Sequence, residues 1–231
     1  MIYLIPTTLG DTSLDNVLPR YNAGVIHSLR YFVVENIRTA RRFLKQVDRD
    51  IVIDDLTFYE LNQHTDINAL LTQMKEAWAH DIGVISEAGC PAVADPGALI
   101  VAEAHRRHIK VKPLVGPSSI LMSVMASGFN GQSFAFNGYL PIEKNDRVAR
   151  LKALEHRANA EHQTQSFIET PYRNVQLVEE LCRTLQPKTM LCIASSITTD
   201  DEFIETRTIA EWRKLLPLNR INKKPTIFLI G

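Results

Sequence analysis

The stretch from Val84 to Gly97 constrains this chain most. An apolar run closes into Ser86-Glu87-Ala88-Gly89-Cys90-Pro91, continues through Asp95-Pro96-Gly97, and leads into helical spacing. A buried strand that ends in a Gly/Pro turn and feeds a helix is the βα unit of a parallel sheet. In such sheets small molecules bind at the carboxyl ends of the strands. A second turn of the same kind, Gly116-Pro117-Ser118-Ser119, again separates an apolar strand from a helix. Together the two turns suggest a repeated βα unit in a nucleotide-like binding layer.

The rest of the first half agrees. Strands are expected at Ile2–Ile5, Tyr31–Glu35, Ile82–Ile85 and Val111–Val115. Helices are expected over Thr39–Val47, Thr65–His80, Pro96–His108 and Ser118–Ala126. This alternation predicts a mostly parallel sheet covered on both faces. After Gly128 the pattern restarts: strands at Ser133–Tyr139, Ser166–Glu169, Met190–Ala194, Glu202–Thr206 and Ile227–Ile230, and helices over Arg147–Arg157 and from Pro171 through Leu185. Thr208 and Glu211 form a capping box ahead of Trp212. The expected architecture is α/β, with an N-terminal domain over 1–130, a C-terminal α/β domain over 131–231, and a cleft between them as the default ligand site.

Composition excludes several classes. Lys+Arg and Asp+Glu both number 26 in 231 residues, so net charge is zero and bulk polyanion binding is not favoured. Local basic patches remain at Arg38-Arg41-Arg42 and Arg106-Arg107. Three scattered cysteines, Cys90, Cys182 and Cys192, have no metal or disulfide spacing and fit a reducing cytoplasm. No run of about 18 apolar residues is present, and no membrane span or metal is expected.

Five motifs occur in order: Ser-Glu-Ala-Gly-Cys-Pro with Asp-Pro-Gly, Val-Gly-Pro-Ser-Ser, Gly-Tyr-Leu-Pro at Gly138–Pro141, and Glu169-Thr170-Pro171-Tyr172-Arg173. On these, the whole chain resembles the tetrapyrrole methylase superfamily of S-adenosylmethionine-dependent methyltransferases. Within it, the chain is most similar to the ribosomal RNA small-subunit methyltransferase I group, which methylates a cytidine ribose 2′-hydroxyl. The resemblance implies two α/β domains with S-adenosylmethionine in the cleft between them, and a homodimer. It carries Pro6, Ser86, Glu87, Ala88, Gly89, Ser118, Ser119, Ala194 and Thr198 as cofactor contacts. Two departures stand out. Where the group has Ala-Glu-Asp-Thr-Arg-His-Thr, this chain has Val34-Glu35-Asn36-Ile37-Arg38-Thr39-Ala40. Where the group has Arg-Glu-Leu-Thr-Lys, it has Ser195-Ser196-Ile197-Thr198-Thr199.

Methyl transfer from a sulfonium is an in-line displacement that needs alignment and dryness more than a nucleophile–base triad. Glu35, at a strand end, is the candidate acceptor-side base, or a carboxylate that caps the next helix. Glu35 and Arg38 form the candidate catalytic pair, and Arg38, Arg41 and Arg42 are candidate phosphate contacts or a solvated helix face. Glu87 and Asp95 either bind cofactor hydroxyls or its ammonium or, for Asp95, cap a helix. Glu169 and Arg173 read as an ion pair. The expected function is a cytoplasmic S-adenosylmethionine-dependent methyltransferase acting on small-subunit ribosomal RNA. The alternatives are a tetrapyrrole-like small-molecule or protein acceptor, and a non-catalytic cofactor- or RNA-binding paralogue.

Overall fold

The computed structural model describes all 231 residues. Internal contacts divide the chain into two units, Met1–Ser118 and Ser119–Gly231.

The first unit runs β1 (Ile2–Ile5), α1 (Leu14–Val17), α2 (Arg20–Ser28), β2 (Tyr31–Val34), α3 (Ile37–Val47), β3 (Thr57–Glu60), α4 (Ile67–Gln73), β4 (Ile82–Ile85), α5 (Ala98–Arg106) and β5 (Val111–Pro113). Its five strands pair in the order β3-β2-β4-β1-β5, and every pair is parallel. All four residues of β4 are buried, as a central strand covered on both faces requires. The edge strands β3 (Thr-Phe-Tyr-Glu) and β5 (Val-Lys-Pro) are more exposed and carry charge or proline, which suits an unpaired edge.

Alternation along each strand builds two cores. Ile5, Phe32, Val34 and Ile85 pack with Ile26, Phe43 and Leu44 of α2 and α3 on one face. Ile2, Val33, Ile82 and Val84 pack with Leu70, Met74 and Ile100 on the other, beneath α4 and α5. The α3 crossover therefore leaves β2 toward β3 over one face, while the α5 crossover leaves β4 toward β5 over the opposite face. The carboxyl ends of the neighbours β2 and β4 thus form a topological switch point, where open α/β sheets place their ligands.

Local sequence explains the helix ends. Asn36 Oδ1 accepts from the backbone N–H groups of Arg38 (2.9 Å) and Thr39 (3.2 Å) and starts α3. The helix expected over Thr65–His80 starts on an Asp66 cap but breaks after Gln73 and resumes as a short 3₁₀ turn at Ala77–Ala79. Met74 and Ala77 are both fully buried at that break. α1, α2 and β3 are not evident in the sequence: α1 has four residues, α2 starts at Pro19 without a side-chain cap and contains Gly24, and β3 lies at an edge.

The second unit runs α6 (Ser119–Ser127), β6 (Phe134–Tyr139), α7 (Lys144–Glu161), β7 (Thr164–Ile168), α8 (Asn174–Thr184), β8 (Met190–Ser195), β9 (Phe203–Thr208), α9 (Ile209–Trp212) and β10 (Thr226–Ile230). Its sheet order is β6-β7-β10-β8-β9, with β6 and β7 parallel and the other pairs antiparallel. Phe167, Ile193, Phe228 and Trp212 form one core with Leu154 and Val178 of α7 and α8. The Trp212 indole N–H donates to the Leu191 carbonyl at 2.9 Å, which satisfies the one polar atom of the largest core side chain. The expected Thr208–Glu211 capping box is present.

α6 packs on β8, β9 and β10, and the Thr206 hydroxyl donates to the Ser127 carbonyl at 2.8 Å. The division by contacts therefore falls at Ser118/Ser119 rather than near Asn130: this helix buries its Ser123, Val124 and Ser127 face with the second sheet. No helix is long and apolar enough to cross a membrane.

Candidate active site

Because all five strands of the first sheet are parallel, the loops that follow them emerge at one edge, and three of them interlock. The Thr7 N–H donates to the Gly89 carbonyl at 3.0 Å, and the Thr7 hydroxyl reaches the Ser86 carbonyl at 3.4 Å. Gly89 has φ +68°, and a Cβ there would meet Leu9 Cδ2 at 2.9 Å and the Pro117 carbonyl at 3.2 Å. A Cβ at Gly116 would stand 2.2 Å from Pro6 Cγ. Glycine at both positions thus lets the loops after β1, β4 and β5 touch. The Cys90 thiol lies 3.3 Å from the Pro117 carbonyl, and burial pushes its pKa up, so it is a protonated packing group.

The loop after β4 is held in unusual backbone. Ala92 and Ala94 have φ of 66° and 58°, a left-handed conformation that is strained for alanine. Asp95 Oδ1 braces them, accepting from the N–H groups of Ala92 (2.9 Å) and Gly97 (2.6 Å). The helix cap of α5 is Gly97, so Asp95 is a loop brace rather than the expected N-cap. Its other oxygen, Oδ2, is buried without a partner.

At the switch point, Glu35 is the first residue after β2, and Glu87 stands two residues beyond β4. The Thr39 hydroxyl on the first turn of α3 donates to Glu87 Oε1, tying the two connections together. Burial, then the charges of Asp95 and Glu87, push the Glu35 carboxyl above its ordinary range, while the Glu87 N–H partly offsets this. Burial likewise pushes Asp95 up, against the pull of the Gly97 and Ala92 amides. A cavity of about 140 Å³ opens beside these groups, lined by Thr7, Asn36, Thr39, Arg42, Ser86 and Glu87 among others. The site thus offers a half-buried carboxylate of raised proton affinity, a second carboxylate locked by a hydroxyl, and a small recess of mixed polar and apolar lining.

Pro6, Ser86, Glu87, Ala88, Gly89 and Asp95 all lie in these loops, with Glu35 beside them. Arg38 is exposed on α3 and forms no ion pair, and Arg42 lines the recess. The Arg41 guanidinium sits 5.4 Å above the Phe58 ring, and Arg106 and Arg107 are bound to the buried Glu103. Ser118 closes the first unit and Ser119 opens α6. In the second unit Ala194 is a buried strand residue paired with Ile227 and Ile204. Thr198 has φ 73°, an outlier for a β-branched residue, with its hydroxyl oxygen buried and unpartnered. Thr39 and Thr7 are the site residues that sequence reasoning missed. The only available signal was the spacing of Thr39, four residues after Glu35 on a helical first turn.

No family model matches the chain. The ribosomal RNA small subunit methyltransferase I of Thermotoga maritima is 30% identical over 179 residues, covering 76% of this chain and 76% of that protein. The chain belongs to the ribosomal RNA small subunit methyltransferase I family. The enzyme of that name from Buchnera aphidicola is 25% identical over 230 residues, spanning 100% of this chain and 75% of its relative. That of Vibrio cholerae is 25% identical over 91% of this chain and 69% of its own length. Among solved structures, the methyltransferase CobJ (TM-score 0.62, 16% identity, 100% of this chain and 93% of that one) shares the fold. So does the cobalt precorrin-4 methyltransferase CbiF (TM-score 0.60, 13% identity, 100% and 94%). The uroporphyrin-III C-methyltransferase of Thermus thermophilus, solved with S-adenosylhomocysteine, also matches (TM-score 0.55, 15% identity, 100% and 96%). The family is one of methyltransferases, and the fold is the two-domain α/β fold of the tetrapyrrole methylases.

Proposed function

We propose that this chain transfers a methyl group from S-adenosylmethionine to a ribose 2′-hydroxyl of small-subunit ribosomal RNA. Glu35, at the β2/β4 switch point and pushed toward higher proton affinity by burial and by Asp95 and Glu87, carries the reading. It supplies the proton acceptor from which an alcohol gains and which a nitrogen or carbon acceptor needs less. The names of the family members support the RNA acceptor.

The first unit's residues fit the methyl donor. Gly89 and Gly116 keep the three loops at close approach with no Cβ between them, and Glu87 and Asp95 are carboxylates suited to the donor's ammonium and hydroxyl groups. When bound, S-adenosylmethionine supplies a methyl carbon activated by its positive sulfur. Pro6, Ser86, Glu87, Ala88, Gly89, Asp95 and Ser118 would hold it, and Ser119, Ala194 and Thr198 of the second unit are proposed as further contacts.

Glu35 would accept the proton that the ribose hydroxyl loses on methylation. Thr39 fixes Glu87, so that its charge faces Glu35 from a constant position. Arg42, which lines the recess, and Arg38, exposed on the first turn of the same helix, are cations without a carboxylate partner that would hold the phosphates flanking the acceptor. The same reading places the protein in the cytoplasm as a homodimer, and sedimentation of the purified chain checks the latter.

Incubating small-subunit particles or their RNA with isotopically labelled S-adenosylmethionine, followed by nucleoside analysis, tests the proposal. A labelled 2′-O-methylnucleoside is the expected product. Label on a base or a protein, or label accepted only from tetrapyrrole substrates, would replace it.

A further inference from the structure

Away from the switch point, the second unit leaves two tyrosines and an isoleucine bare near the ends of two neighbouring strands, in addition to the exposed Leu121 and Met125 of α6. Tyr139, Ile142 and Tyr172 are 64%, 74% and 76% exposed. They follow one another at the carboxyl ends of two strands that are neighbours and parallel: Tyr139 ends β6 opposite Ile168, the last residue of β7, and Tyr172 comes four residues later. Adjacent strands lie about 4.8 Å apart and four residues reach at most about 14 Å, so the two tyrosine backbones lie within roughly 20 Å.

The backbone under these side chains is tightly held. Arg147 donates to the carbonyls of Pro141 (3.1 Å) and Ile142 (2.6 Å) and pairs with Glu180. Arg173 pairs with the buried Glu169 at 2.7 Å, and the Lys223 N–H donates to the Pro171 carbonyl at 3.1 Å. Rigid loops that present free rings are preorganised contacts rather than frayed ends.

Charge settles the kind of partner. The Lys223 ammonium lies 5.9 Å from the Tyr172 ring centre and has no carboxylate partner, and Lys144 at the start of α7 is also unpaired. Arg173 and Lys224 are committed to Glu169 and Asp201, and Glu143 and Asp146 are the acidic neighbours. Exposed rings with free cations beside them match the pairing of base faces and phosphates in single-stranded nucleic acid.

We infer that Tyr139 and Tyr172, with Lys223 and Lys144, form a platform on which unpaired bases of the RNA substrate stack while the lysines hold adjacent phosphates. This rests on the RNA reading above and assigns it a second contact surface.

The test is equilibrium binding of a labelled single-stranded RNA over a salt series, with steady-state methyl transfer to the same RNA. Tyr172→Ala and Tyr139→Ala should each weaken binding and raise KM roughly 5- to 100-fold, leaving kcat and S-adenosylhomocysteine affinity unchanged. Tyr172→Phe, which keeps a ring, should stay within about twofold of wild type. Lys223→Gln should lower the salt slope by about one, and the tyrosine variants should not. Unchanged binding in both alanine variants, at an unaltered unfolding midpoint, overturns the platform. So does a change in sedimentation of the alanine variants, which would make the patch a contact between copies of the chain. If the wild type neither binds nor methylates RNA, the RNA reading itself fails, an outcome distinct from wild-type activity with indifferent tyrosines.

Discussion

In the second unit each buried carboxylate is met by a donor. Glu155 accepts from the Gln186 N–H at 2.8 Å and the Thr189 hydroxyl at 2.5 Å, Glu169 from Arg173, and Glu180 from Arg147. At the carboxyl edge of the first sheet carboxylates instead face one another. Glu35 faces two further carboxylates, and burial pushes both Glu35 and Asp95 toward the neutral form, while Asp95, like Glu180 in the second unit, keeps one oxygen without a partner. The first unit can satisfy a buried acid elsewhere, since Glu103 takes Arg106 and Arg107. Glu35 and Asp95, the carboxyl groups of raised proton affinity, both lie at the switch point. Carboxyl groups of raised proton affinity thus cluster at the proposed site, while Glu169 and Glu180 in the second unit are paired with arginines.

The sharpest way to break this comparison is Glu35→Gln. Methyl transfer should fall about 10²- to 10⁴-fold, with S-adenosylhomocysteine affinity within about twofold by calorimetry. The variant should also be more stable than wild type above neutral pH. Glu35 binds its proton more tightly folded than unfolded, so its contribution to stability falls as pH rises from the ordinary carboxylate range to the raised folded value, and stays lost above it. The gain in thermal midpoint should vanish below that ordinary range, and a gain that persists there would contradict the assignment.

The converse substitution in the second unit is Trp212→Ala. Trp212 is fully buried and hydrogen-bonded to the Leu191 carbonyl, so denaturant titration should show a loss of about 3–5 kcal/mol. Activity per folded molecule should be unchanged. A comparable loss of kcat would show that the contrast between the two regions is false.

Gly89→Ala falls between these in effect. The left-handed backbone and the close Leu9 and Pro117 contacts should cost about 1–2 kcal/mol of stability. Calorimetry should also show S-adenosylhomocysteine binding weakened about tenfold or more, as loop displacement opens the site.

The smallest effect sharpens the comparison most finely. Asn36→Ala removes the α3 cap and should cost about 1 kcal/mol in denaturant unfolding. Asn36→Asp keeps the cap, so stability should hold. Its added charge beside Glu35 should shift the acid limb of the methyl-transfer pH profile upward.

The strongly patterned parts of the fold were legible in the sequence. β1, β4 and β10 are uninterrupted apolar runs, and Thr208 and Glu211 announce their own helix. The edge strand β3 and the cap-poor α2 were not, because their places are set by contacts distant in sequence. The same limit moved the unit boundary: helical spacing in Ser119–Ser127 shows a helix, not which sheet it covers. At the site, the Gly/Pro loops and Glu35 could be named from the motifs. The Thr39–Glu87 tie could not, since it joins residues 48 apart across two connections.

The most direct test is the pH dependence of single-turnover methyl transfer to small-subunit RNA in the wild type and in Glu35→Gln. The wild-type rate should rise with pH through an ionisation above the ordinary carboxylate range. In Glu35→Gln that limb should be absent, the residual rate far lower, and cofactor affinity retained. A Glu35→Gln enzyme that transfers methyl at the wild-type rate, with the same pH limb, would remove Glu35 from the chemistry and leave the acidic switch point without a role.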